Sequence, residues 1–512
     1  MDLVLLSLLL LCLISHSHRS YGSSSFGFDI HHRYSEPVKG IFGIDNLPDQ
    51  GTREYYIAMA HRDRGFHARR LADGADIDQK LLTFYPYNST YQISMFGYLH
   101  FANVSVGTPS SSFLVALDTG SDLFWLPCNC TKCLPAGLQT SSAQNFEFNM
   151  YDNSRSSSSK NVACNSSFCE QPALCSSSGG TCPYQVQYLS ENTSTSGFLV
   201  EDVLHLITDR GDQTKHANPT VTLGCGQVQT GDFLTWAAPD GLLGLGMSDV
   251  SVPSVLAKQG LTSNSFSMCF HDDGFGRITF GDNSNSLDQG KTPFYSTYNI
   301  TVTQIIVGEN VADLEFNAIF DTGTSFTHLN NPAYKQITQS FDSNIKLERH
   351  SASESDELPF EYCYNTSPNQ TTDQVPTVNL TMKGGDSYFV TKPTMTDSNN
   401  SVLCLAVLKT NDLDIIGQNF MTGYRIVFDR ENMTLGWRQS NCYDDELSSL
   451  PVDQSDAPTG SPDMAVIPER TSNQSNGPEI IPSSHSLKIK PAFVFTVAIF
   501  CFWSFFEHTF RC

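Results

Sequence analysis

The feature that most constrains this chain is an internal duplication. Val104-Ser-Val-Gly107 leads into Ala116-Leu117-Asp118-Thr119-Gly120-Ser121, and Ile305-Ile-Val-Gly308 leads into Ile319-Phe320-Asp321-Thr322-Gly323-Thr324. Each half then carries two apolar residues and a glycine far downstream, Leu242-Leu243-Gly244 and Ile415-Ile416-Gly417. A single Asp-Thr-Gly is an ordinary polar turn, since Asp and Gly both favour turns. Two copies, each after an apolar strand and each with a matching downstream partner, are something else. They imply two homologous lobes, each presenting one aspartate where a strand runs into a loop.

Between about Tyr98 and Trp437, short β-branched and aromatic runs alternate with Gly, Pro, Asn and Ser, which predicts an all-β protein with many turns. Short helices are expected over 253–259 and 331–341. Charged residues are 16% of the 512, too few for a coiled coil or a charge-rich disordered chain. The net charge of −23 argues against a phosphate-backbone binder, so no nucleic-acid partner is expected.

An aspartate at the end of an apolar strand sits where water is scarce, so ionising it is costly unless the carboxylate is hydrogen-bonded. The glycine two residues on lets the chain turn and brings backbone N–H groups near the carboxylate. Ser121 and Thr324 can donate hydroxyl hydrogen bonds to the same group. If the lobes face each other, Asp118 and Asp321 meet across a cleft and share one proton. The ionised member can deprotonate a water while the protonated one polarises a substrate carbonyl, which is peptide hydrolysis without metal or covalent intermediate. The aspartic-protease dyad is the established instance of that chemistry.

At this point the chain resembles the pepsin-like aspartic proteases, and within them the plant nepenthesin-type and atypical group, over roughly residues 98 to 440. The resemblance implies a bilobal double β-barrel with short helices and an active-site cleft between the lobes. It implies Asp118 and Asp321 as catalytic residues, with Thr119, Gly120, Ser121, Thr322, Gly323 and Thr324 supporting their loops. Trp125 matches the tryptophan that hydrogen-bonds a tyrosine on the mobile flap. Tyr188, at the end of Cys182-Pro-Tyr-Gln-Val-Gln-Tyr188, is assigned as that tyrosine, the alternative being an ordinary strand tyrosine. Leu189-Ser-Glu-Asn departs from the family's glycine-rich flap tip. The stretch from Tyr424 to Trp437 resembles the last strand pair. The implied activity is acid-favoured endoproteolysis of proteins or peptides in extended conformation, by a monomer that uses no cofactor and no metal. The alternative is a catalytically silent pepsin-like binding or inhibitor protein at the cell surface. A serine hydrolase lacks support because no G-x-S-x-G elbow occurs.

The ends carry separate signals. Leu3 to Ile14 is an apolar run of secretory-leader length, giving a signal peptide over 1–22. Setting aside Cys12, Cys501 and Cys512 leaves twelve cysteines: Cys128, Cys130, Cys133, Cys164, Cys169, Cys175, Cys182, Cys225, Cys269, Cys363, Cys404 and Cys442. An even number in an exported chain reads as up to six disulfides of open connectivity. Cys128-x-Cys130-x₂-Cys133 suggests zinc, but no matching pair lies nearby, so no metal is assigned. Twelve glycosylation sequons start at Asn88, Asn103, Asn129, Asn165, Asn192, Asn299, Asn365, Asn369, Asn379, Asn399, Asn432 and Asn473.

Residues 23–95 include a locally basic stretch, Arg53, His61-Arg62-Asp-Arg64 and Arg69-Arg70, ahead of a body that from Met95 to Asn476 holds 18 Lys and Arg against 41 Asp and Glu. A basic segment over an acidic cleft is the logic of a zymogen propeptide, the alternative being a disordered linker. The expected lobes are 96–293 and 294–443. A Ser/Pro/Asn-rich stalk over 444–490 and an apolar tail over 491–512 follow, with Ser475 a candidate lipidation (GPI) site and a short membrane anchor the alternative. The expected location is the secretory pathway, ending at the extracellular face of the plasma membrane or in secreted form.

Overall fold

The computed structural model describes residues 26–68 and 81–443, apart from 36, 40–47, 50, 85–88, 93–98, 135–148, 178, 189–191, 209–214, 235–236, 283–288, 351–357, 367–373, 397–400 and 412. The leader, the stalk and the apolar tail therefore lie outside the described residues, as do Asn88, Asn369, Asn399, Asn473, Ser475 and most of the flap tip.

One antiparallel sheet takes strands from both halves of the repeat. In spatial order it runs His100–Val106, Phe26–His32, Phe275–Phe280, Ser265–Phe270, Tyr424–Asp429, Thr434–Gln439 and Gly290–Tyr295. All six residues of the Ser265–Phe270 strand are buried. A strand covered on both faces reads as a continuous apolar run, and Ser-Phe-Ser-Met-Cys-Phe comes close to one. Phe266 stacks on Phe428 with centroids 4.7 Å apart, joining the two halves through their cores. The Phe26–His32 strand lies inside this sheet, between the strands of His100 and Phe275.

Each half repeats one local topology. Leu242–Gly244 runs parallel to the end of the Ser111–Asp118 strand, pairing Gly244 with Asp118, and antiparallel to Trp125. Ile415–Ile416 runs parallel to Ile319 and Phe320 and antiparallel to His328. This is the structural content of the apolar-apolar-Gly partner seen in the sequence. The glycine is needed for close approach: a Cβ on Gly244 would lie 2.3 Å from the Asp122 carbonyl carbon, and one on Gly417 2.4 Å from that of Phe326.

The helices expected over 253–259 and 331–341 form as Val252–Lys258 and Ala333–Asn344. The last strand pair is Tyr424–Asp429 with Thr434–Gln439. A further helix, Arg53–Ala68, lies in the N-terminal segment, its first turn capped by Thr52, whose hydroxyl accepts the Tyr55 N–H at 3.2 Å.

All twelve cysteines pair, as Cys128–Cys225, Cys130–Cys133, Cys164–Cys175, Cys169–Cys182, Cys269–Cys442 and Cys363–Cys404. Cys164, Cys169 and Cys175 come close enough to suggest a metal site, but their sulfurs are committed to two of these bridges. Of the described sequons, Asn103, Asn129, Asn165, Asn192, Asn365 and Asn432 are exposed, and Asn299 and Asn379 half-buried.

Candidate active site

The two Asp-Thr-Gly loops adopt matching hydrogen-bond patterns. Gly120 N donates to Asp118 Oδ1 at 2.9 Å and Ser121 Oγ to Asp118 Oδ2 at 2.6 Å. Gly323 N donates to Asp321 Oδ1 at 2.8 Å and Thr324 Oγ1 to Asp321 Oδ2 at 2.8 Å. Neither Gly120 nor Gly323 takes a positive φ. What each supplies is room, since a Cβ there would crowd the carboxylate oxygen at 3.2 or 3.1 Å. The chain turns at both glycines, as expected, and each turn brings its glycine N–H onto the carboxylate without a left-handed φ.

Thr119 and Thr322 are buried, and their hydroxyls meet at 3.4 Å across 203 residues of sequence. That contact brings the two loops together. Burial pushes the Asp118 carboxyl up to about 6, against the pull of its bonds to Ser121 and Gly120, and the Asp321 charge raises it further. An acid that titrates near 6 beside a second carboxylate is suited to hold the shared proton.

Trp125 is fully buried, and its Nε1 donates to the Tyr188 hydroxyl at 2.8 Å. Tyr188 directly follows the hairpin strand Pro183–Gln187, which pairs with Ser194–Thr208. Burial raises its hydroxyl well above the usual phenol range, with the Asp118 charge second, so Tyr188 faces the Asp118 loop as a neutral hydrogen-bonding group. Phe233, which carries no sequence signal, packs edge-on against both rings at 4.9 Å.

A family model described as xylanase inhibitor N-terminal matches residues 100–282, and one described as xylanase inhibitor C-terminal matches 297–439. Aspartyl protease family protein 1 of Arabidopsis thaliana is 50% identical over 93% of this chain and 94% of its own length. The chain belongs to the pepsin-like aspartic proteases. Within that family it is also similar to aspartic proteinase-like protein 1 of Arabidopsis thaliana, at 37% identity over 91% of this chain and 90% of that one. Aspartic proteinase nepenthesin-1 of Nepenthes gracilis is 26% identical over 66% and 77% of the two chains. Among solved structures, conglutin gamma from lupine seeds covers 67% of this chain and 91% of its own at 20% identity, with a TM-score of 0.51. That likeness speaks to the fold alone.

The N-terminal segment reaches the second loop of this pepsin-like site. Asp63, fully buried on the Arg53–Ala68 helix, accepts hydrogen bonds from Ser325 N, Ser325 Oγ and Phe326 N at 2.9–3.2 Å. Arg62, also buried, pairs with Asp63 at 2.8 Å and donates to the Gly323 carbonyl at 2.6 Å. Tyr56 donates to the Thr396 carbonyl at 3.1 Å. The segment is therefore held by an acid on backbone N–H groups as much as by a base. Basic and acidic side chains nearly balance over residues 23–95, and the grip on the second loop runs through the adjacent Arg62 and Asp63 together. The usable signal was the alternating His61-Arg62-Asp63-Arg64.

Proposed function

We propose that this protein is a secretory aspartic endopeptidase made as a zymogen. Asp118 and Asp321 activate a water between them, and the Arg53–Ala68 helix blocks the site until it is released. The observation that carries the reading is the matched pair of hydrogen-bonded aspartates, tied together by Thr119 and Thr322. An oxygen of one carboxylate takes the proton of water while the protonated Asp118 polarises the scissile carbonyl. The proton then passes to the leaving amine. Substrates are peptides in extended form, and the leader-like run Leu3–Ile14 and the disulfide-paired cysteines support a route through the secretory pathway.

Digestion of a peptide library across pH, with and without a statine-type inhibitor, tests this. Cleavage at acid pH that the inhibitor abolishes, and that Asp118→Asn abolishes, supports it. Full activity of Asp118→Asn would refute the dyad.

A second reading, a binding protein without catalysis, is favoured by one finding: both halves match models described for xylanase inhibitors. Both aspartates with their Thr-Gly context weigh against it. Absence of cleavage by wild type at every pH would decide for it.

A further inference from the structure

We infer that Gln171 is a positioning residue for the hairpin that carries Tyr188, and that Glu170 and Gln171 together fasten this hairpin to the body of the N-terminal half. The inference rests on the protease reading for its kinetic consequence, but not for its structural one.

Among the described residues, the hairpin strand Pro183–Gln187 pairs only with Ser194–Thr208. An unpaired strand edge leaves N–H and C=O groups to be satisfied otherwise. Gln171 satisfies both at one residue: its Nε2 donates to the Gln185 carbonyl at 2.9 Å, and its Oε1 accepts the Gln185 N–H at 3.0 Å. A carboxamide is the side chain that offers a donor and an acceptor side by side, as a neighbouring strand would. The next residue back faces the body, with Glu170 Oε1 accepting from the hydroxyl of Ser248. Ser248 N in turn donates to Asp122 at 2.8 Å, four residues beyond Asp118. Two adjacent residues thus bridge the Asp118 region and the hairpin.

The segment that holds them is stiff. Cys164–Cys175 closes it, and Cys169–Cys182 ties it to the residue preceding Pro183. Phe168 lies under the Lys258 ammonium at 5.4 Å from the ring centre. A pocket of about 250 Å³ opens where the parts meet, lined by Gly120 and Ser121 of the first loop, Val186 and Gln187 of the hairpin, and Glu170 and Gln171. Whatever enters beside Asp118 on this side meets the clamp. Three residues after Gln185 comes Tyr188, whose hydroxyl Trp125 holds, so loosening the edge at Gln185 frees the strand that places Tyr188.

The test compares Gln171→Met, which keeps length and loses both hydrogen bonds, with Gln171→Glu, which keeps only the acceptor, in the full oxidised chain. Hydrogen exchange in peptides covering 183–188 is expected to quicken about five- to tenfold in Gln171→Met and less in Gln171→Glu, with all six disulfides and the melting temperature retained. In the activated protease, KM for a peptide substrate is expected to rise about fivefold with kcat changed less than twofold. Unchanged exchange in Gln171→Met would overturn the inference, whether or not the protein cleaves peptides. Changed exchange with unchanged KM would overturn its kinetic part. Wild type without activity would overturn the protease reading and leave the exchange result to stand alone.

Discussion

The Thr119 and Thr322 hydroxyls lie 3.4 Å apart in a buried setting, the contact at which the two halves of the repeat meet beside their aspartates. Valine has threonine's shape without its hydroxyl. Replacing one threonine leaves the other hydroxyl buried and without this partner, at about 1–3 kcal/mol, whereas replacing both removes the mismatch. Thr119→Val is therefore expected to lower the melting temperature and activity together, and Thr119→Val with Thr322→Val to recover stability more than activity. Thermal melts and peptide hydrolysis on the same samples check this.

Asp118 gives a pH dependence with a definite sign. Its folded-state carboxyl sits at about 6, above its ordinary 3.8, because burial penalises the charge. A raised acid contributes stability at low pH and loses it as pH rises through the folded value. Asp118→Asn removes the penalty. The variant is expected to melt higher than wild type at pH 7.5, with the difference shrinking below pH 6 and vanishing near pH 3.5. Wild-type kcat/KM is expected to fall as pH rises past about 6, when the shared proton is lost.

Much of this site was legible in the sequence because its chemistry is local. The carboxylate bonds span two or three residues, from Asp118 to Gly120 and Ser121, so tripeptide and neighbour reveal them. The duplication supplied the rest, since a repeated strand-loop-strand unit can only bring its aspartates together face to face. Contacts between residues far apart with no repeat behind them left no trace. Phe233 is an ordinary phenylalanine until it packs on Trp125 and Tyr188. The disulfide partners are likewise open in the sequence, because pairs such as Cys363 and Cys404 are set by strand register. The Phe26–His32 strand places apolar residues at 26, 28 and 30, an alternation that charge over residues 23–95 does not register.

Asp63 makes the grip of the N-terminal segment testable without any cleavage. Its carboxylate takes hydrogen bonds from Ser325 and Phe326, close to Asp321, and it pairs with buried Arg62. Asp63→Ala would leave a buried guanidinium without this carboxylate, which typically costs about 3–5 kcal/mol. The uncleaved full-length variant is expected to hydrolyse a peptide substrate, or to bind a statine-type probe, at least about tenfold better than uncleaved wild type. Equal probe binding in the two uncleaved proteins would show that this helix does not block the site.

Docking of the N-terminal segment is expected to weaken in acid through His32 and His100. They stand opposite each other in neighbouring strands, one in that segment and one in the body, with ring centres 5.3 Å apart. His100 also meets Phe270, and His32 stacks on Tyr34. The charges nearby, Arg33 and Arg62, are of the sign that opposes protonation. Burial, then those guanidiniums, push His32 down to about 3, and burial with the His32 and His31 charges pushes His100 well below 6.5. A histidine whose bound-state value is lowered contributes full stability above its free value and loses it as pH falls. Between pH 7 and 5, His32 alone is expected to weaken docking by about twenty-fivefold, from the gap between 6.5 and about 3. Nicking of the Arg53–Ala68 helix by an added protease active over that range, with its own rate on a flexible peptide divided out, should rise accordingly. In His32→Phe and His100→Phe the rise should be smaller, and an undiminished rise in both would place the acid sensitivity elsewhere.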